Sequence, residues 1–259
     1  MKKTESIFYL FMVLVFYQCS EKDENIIIEQ SEKKDTKYIE DIVSAADYKN
    51  NDSQLNWIID STSLGKRGEY KIEMQQIYQS DCEAIANFIL SKKIKGEWIL
   101  KQEISVVKDC VTRLDPEFSD FNNDEFNDFT FQSGMAARGS NEIRTLYIFD
   151  EKVGKLIEIR NSDSYPNIRY NEELNCLDAW LVSGGSNSVF LTIQGDSLVE
   201  FAGVDLYDGD NEMGYTNREV YTIDKKGNMK TISLEKIKGL DSYTRYSNYD
   251  PLKELIDSD

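Results

Sequence analysis

Residues 82–110 read CEAIANFILSKKIKGEWILKQEISVVKDC. Two runs rich in Ile, Val, Leu and Phe, Glu83 to Lys93 and Glu97 to Asp109, flank Lys95-Gly96, and a cysteine stands at either end. β-branched and aromatic residues on both sides of a glycine-containing turn read as a hairpin rather than a helix. A tight turn at Lys95-Gly96 sets residues whose numbers sum to about 191 face to face, which brings Cys82 beside Cys110. The spacing points to a cross-strand disulfide between them, the competing reading being thiols buried as small apolar side chains.

The same texture continues on both sides. From Gly68 onward, short apolar runs alternate every eight to twelve residues with Gly, Asn or Asp. Strands are expected near residues 69–79, 84–93, 98–108, 128–133, 144–150, 155–160, 179–183, 188–194, 197–205, 219–223 and 229–234. That pattern gives a mainly β fold: a curled antiparallel sheet, or a sandwich or barrel, of short strands with a short N-terminal helix. The helix follows from Ile39, Ile42, Val43 and Ala46, spaced by threes and fours behind Thr36. Leu252 to Ile256 suggest one last helical turn. The chain divides into residues 1–18, a signal; 19–35, an acidic tether; 36–67, a helical extension; and 68–259, the β-rich domain.

Composition closes several function classes. The 259 residues hold 47 acidic and 30 basic side chains, a formal charge of −17, and no histidine. Without histidine, Ser-His and Cys-His nucleophile pairs and the commonest zinc ligand are absent. Paired carboxylates of the glycosidase type remain, but nothing beyond the abundance of Asp and Glu argues for them, so the chain is expected to be non-enzymatic. An acidic surface repels nucleic acid and anionic lipid and favours a cationic protein or a divalent ion.

The N-terminus points to the cell envelope. Lys2 and Lys3 precede an apolar run from Ile7 to Tyr17 that is too short to span a bilayer, and Cys19 follows. This resembles a bacterial lipoprotein signal, which implies a lipid-modified Cys19 as the first mature residue. The acidic stretch after it resembles an export tag, implying an outer-membrane lipid anchor on the cell surface, with the periplasmic face as the alternative. Ordinary signal cleavage nearby is the other reading.

The sharpest local motif is Asp120-Phe121-Asn122-Asn123-Asp124-Glu125-Phe126-Asn127-Asp128. Oxygens from Asp120, Asn122, Asp124 and Asp128, with the carbonyl of Phe126, match positions 1, 3, 5, 9 and 7 of a calcium loop, about six to eight oxygens being what this hard ion prefers. Position six, where glycine normally permits a positive φ, is Glu125. The competing reading is a solvated acidic turn. A second acidic stretch, Asp205, Asp208, Asp210 and Glu212, lacks ligand spacing and reads as a loop. Ser183-Gly184-Gly185-Ser186-Asn187 reads as a flexible polar loop between apolar strands.

Together, the lipoprotein start, the Asp120–Asp128 phrase, the strand Arg144 to Asp150 and the Ser-Gly loop resemble the periplasmic lysozyme-inhibitor and immunity lipoprotein group over residues 68–206. The resemblance implies a β domain that inserts Ser183 to Asn187 into the cleft of a peptidoglycan-cleaving enzyme. The inhibitor phrase S-G-x-x-x-Y is met at Ser183 and Gly184, with Ser188 in the place of the tyrosine. The alternative function is a surface lipoprotein that binds glycan or another envelope protein.

Overall fold

The computed structural model describes residues 56–80, 82–208 and 214–249. The expected signal, tether, N-terminal helix and Cys19 lie outside the described residues, as do Leu252 to Ile256.

The described chain is mainly β and forms three antiparallel sheets. The first is a meander of β1 (Asn56–Asp60), β2 (Tyr70–Ser80), β3 (Glu83–Ile94) and β4 (Glu97–Asp109). The second holds β5 (Glu117–Ser119), β6 (Asp128–Ala136), β7 (Asn141–Asp150) and β8 (Lys155–Ile159). The third orders β9 (Arg169–Asn171), β10 (Cys176–Val182), β11 (Gly185–Gln194), β12 (Ser197–Asp208), β13 (Tyr215–Ile223) and β14 (Met229–Lys238) in chain sequence. Every connection within a sheet joins neighbours, and one isolated bridge, Gly65↔Asn127, links the β1–β2 connection to the turn before β6. All three sheets are open, so the sandwich reading holds and the barrel does not.

Alternation along the strands dictates the layering. On β7, Tyr147 and Phe149 enter one core with Phe88, Phe129, Phe131, Ile72 and Met74, while Leu146 enters a second with Leu177, Ala179, Val189 and Leu191. Successive side chains of a strand point to opposite faces, so the second sheet is apolar on both sides and lies between the other two. The first core is an aromatic stack: Phe88 meets Phe129 edge-on at 5.1 Å and Phe131 at 4.8 Å. On β11, Val189 and Leu191 face the second core, and Phe190 turns outward to a third with Val204, Val220 and Tyr246.

One boundary moves. β1 pairs with β2 from Asn56↔Gln76 to Asp60↔Ile72, and Leu64 is buried in the first core. Residues 56–67 therefore belong to the β domain, not to a helical extension. Trp57-Ile58-Ile59 is too short a run for alternation to show; only pairing along β2 defines it as a strand.

Candidate functional site

The turn between β5 and β6 is wound around its own acidic side chains. Asp120 accepts the amides of Asp124 at 3.0 Å and Glu125 at 2.8 Å, Asn122 Oδ1 accepts the amide of Asp124, and Asp124 Oδ1 accepts the amide of Phe126. Such Asx contacts replace ladder hydrogen bonds and curl the chain. Asn123 and Glu125 take φ of 58° and 74°. The sixth position thus has the left-handed backbone that such loops require, held here by a residue bearing a Cβ.

Asp128 closes the turn from inside the fold. It is fully buried; Oδ2 accepts the amide of Phe121 and Oδ1 that of Phe149 on β7, each at 2.8 Å. Burial pushes its carboxyl up to about 7 against these two hydrogen bonds, and the nearby Asp124 and Asp120 add to the rise. Among the described residues no lysine or arginine pairs with these three carboxylates, and no three metal-ligating side chains converge into a preformed group. The donor set is all hard oxygen, the ligand class that calcium prefers. Asp120 and Asp124 engage the loop's own amides, while Asp128 engages the amide of Phe121 in the loop and that of Phe149 on β7.

The Ser-Gly stretch is placed differently from the flexible loop expected. β11 starts at Gly185, and Gly185↔Tyr207 opens a ladder with β12 that runs in register to Phe190↔Ala202 before a bulge. Only Ser183 and Gly184, the latter with φ 69°, form the exposed tip of the β10–β11 hairpin. A Cβ on Gly185 would lie 2.1 Å from the carbonyl oxygen of Leu206, so the position requires glycine. Ser186 Oγ donates to the carbonyls of Ser242 and Thr244, and Asn187 Nδ2 donates to the Tyr221 hydroxyl at 3.1 Å. Gly185, Ser186 and Asn187 are thus ladder residues with inward partners.

Cys82 and Cys110 do face one another. Glu83 pairs with Asp109, and the amide of Cys110 donates to the carbonyl of Cys82 at 3.4 Å. Both thiols are free, as is the buried Cys176. Of the second acidic stretch, Asp205 and Asp208 belong to β12, and Asp210 and Glu212 lie outside the described residues.

Three features had no sequence signal. Asp178, buried on β10, accepts from Arg169, Arg245 and Asn171, partners far apart in the chain. Glu200 and Asp205 on β12 are half-buried beside Asn187, Glu219 and Tyr221, and the Tyr221 hydroxyl donates to Glu200 at 2.7 Å. A cavity of about 610 Å³ opens at one end of the first core, walled by Trp57, Met135 and residues 111–116.

No family model and no curated protein matches the sequence. Among solved structures the chain is similar to one described as "Structure of a Xanthomonas Type IV Secretion System related protein", with a TM-score of 0.46 and 14% identity, over 70% of this chain and 95% of that one.

Proposed function

We propose that this chain is a non-enzymatic lipoprotein of the cell envelope, anchored through Cys19, that binds and inhibits a basic peptidoglycan-cleaving enzyme. In this reading calcium stiffens the turn held by Asp120, Asn122, Asp124, Asp128 and the Phe126 carbonyl. The ion would neutralise a cluster of carboxylates with no basic partner among the described residues. The observation that carries the recognition reading is the surplus of acidic over basic side chains, 47 against 30. Enzymes that grip anionic cell wall present cationic faces, and opposite fields speed encounter by roughly 10- to 1,000-fold. Ser183 and Gly184, at the exposed hairpin tip, are the part of the Ser-Gly phrase free to enter a cleft.

A second reading, glycan binding, is favoured by the cavity beside Trp57, which is half-exposed among Arg113, Asp115 and Gln132. An aromatic wall with a few convergent polar groups suits a sugar ring.

The test is clearance of purified peptidoglycan by a panel of cationic lysozymes and amidases, with the full chain added, in calcium and in chelator. Expected is slowed clearance that recovers at high salt, and relief by Ser183→Trp at unchanged melting temperature. Absence of inhibition and of any complex across the panel removes the inhibitor reading. Retention of the chain on polysaccharide alone moves the function to glycan binding.

A further inference from the structure

We propose that Cys82 and Cys110 form a redox-closable bolt at the root of segment 110–116, closed by exchange with a disulfide donor such as glutathione disulfide. The proposal is independent of the calcium and partner readings.

The ladder between β3 and β4 runs in register through Ala84↔Lys108 and Glu83↔Asp109, so the next pair out is Cys82 with Cys110. The amide of Cys110 reaches the carbonyl of Cys82, which makes these residues a continuation of the ladder. Directly paired residues in an antiparallel ladder have Cα atoms about 4.5–5.5 Å apart, within the range of about 4.4–6.8 Å that a disulfide spans. The Cys110 thiol is raised by burial and by the Cys82 thiol, which lies beside it.

Exposure sets the order of steps. Cys82 is exposed and Cys110 half-buried. The Cys82 thiolate attacks the donor disulfide, forming a mixed disulfide and releasing one donor thiol. The Cys110 thiolate then attacks Sγ of Cys82 and displaces the second. The pair loses two electrons and two protons, and the donor is reduced to two thiols. Cys176 is buried, and burial pushes its thiol up to about 11, so it stays out of the exchange.

The position gives the bolt a consequence. Segment 110–116 is already held at several points: Lys108 Nζ donates to the carbonyl and hydroxyl of Thr112, Gln76 Nε2 to the same carbonyl, and the Gln132 amide to the carbonyl of Leu114. It walls the cavity with Trp57 and Met135. At its root, the amide of Cys110 donates to the carbonyl of Cys82 at 3.4 Å, a longer contact than those that hold Thr112 and Leu114. A covalent link there fixes the root of the wall in place of hydrogen bonds alone.

The experiment incubates the folded full chain in glutathione buffers of increasing oxidising poise, then quenches, counts thiols after denaturation and maps linked peptides. Expected is the loss of two thiols per chain, a single linked pair containing Cys82 and Cys110, and no chain-to-chain product. Tryptic cleavage after the exposed Arg113 should slow several-fold on oxidation. Cys110→Ser should stop at the mixed disulfide on Cys82; if that variant does not fold, the wild-type readouts decide alone. Retention of both thiols, pairing through Cys19 or Cys176, or cleavage at Arg113 unchanged by oxidation would overturn the proposal.

Discussion

Asp205 on β12 sits opposite Asn187 of β11 and Glu219 of β13. Burial, and then the charge of Glu219, raises its carboxyl above the ordinary range, and Glu200 is raised by burial against the hydrogen bond from Tyr221. Among the described residues none of these carboxylates forms an ion pair. Groups whose folded values lie above their unfolded ones bind protons preferentially in the native state. Their contribution to stability is complete below the unfolded values and is lost as pH rises through the folded ones. Asp205→Asn removes the charge with little change of shape, so it should raise stability at neutral pH and flatten the decline in stability as pH rises from acidic to neutral. Urea midpoints across that range measure both. A variant no more stable than wild type at neutral pH would show that solvent screens the Asp205–Glu219 pair.

The element that depends most on distant partners is the strap formed by residues 240–249, which covers the outer face of the third sheet. Tyr246 joins the third core, Tyr249 packs at 5.4 Å on Phe190, and the amide of Tyr246 donates to Ser188 Oγ. Arg245 ties the strap to buried Asp178 and to the carbonyl of Asn167. Arg245→Ala should cost about 1–3 kcal/mol, because Asp178 keeps Arg169 and Asn171 as partners. Hydrogen exchange at Tyr246 should accelerate far more than at β2 or β3, a local opening rather than global loss. Equal acceleration in all three places would mean that the strap unfolds only with the whole domain. None of this was legible in advance, since the partners of Asp178 lie from seven to sixty-seven residues away. The strands were legible, because Leu146-Tyr147-Ile148-Phe149 and Val189-Phe190-Leu191 are apolar at both parities, as strands buried on two faces must be. β1, and β5 and β9 of three residues each, were not, being defined only by their neighbours. The adjacent glycines at 184 and 185 look alike in the sequence and serve different needs. Gly184 does take a turn conformation, but Gly185 is there for close approach to Leu206.

At the scale of the whole molecule, a formal charge of −17 makes any cation stabilising, and that must be separated from occupancy of the 120–128 turn. Monovalent salt screens self-repulsion over a Debye length, about 10 Å at 0.1 M, wherever the charges lie. A bound ion acts by mass action instead, adding about 2.7 kcal/mol at a hundredfold excess over its dissociation constant. Sodium chloride should therefore raise the melting temperature of wild type and Asp124→Ala alike. Calcium added at matched ionic strength should raise it further in wild type alone. Asp124 carries one contact to the Phe126 amide and one to Asn122, so its loss also costs a little without calcium. The comparison is therefore the calcium increment within each protein, not the two absolute temperatures. An increment equal in both, or none beyond sodium in either, would make the turn a solvated acidic loop closed by its own amides. The charge surplus would then act through its long-range field alone.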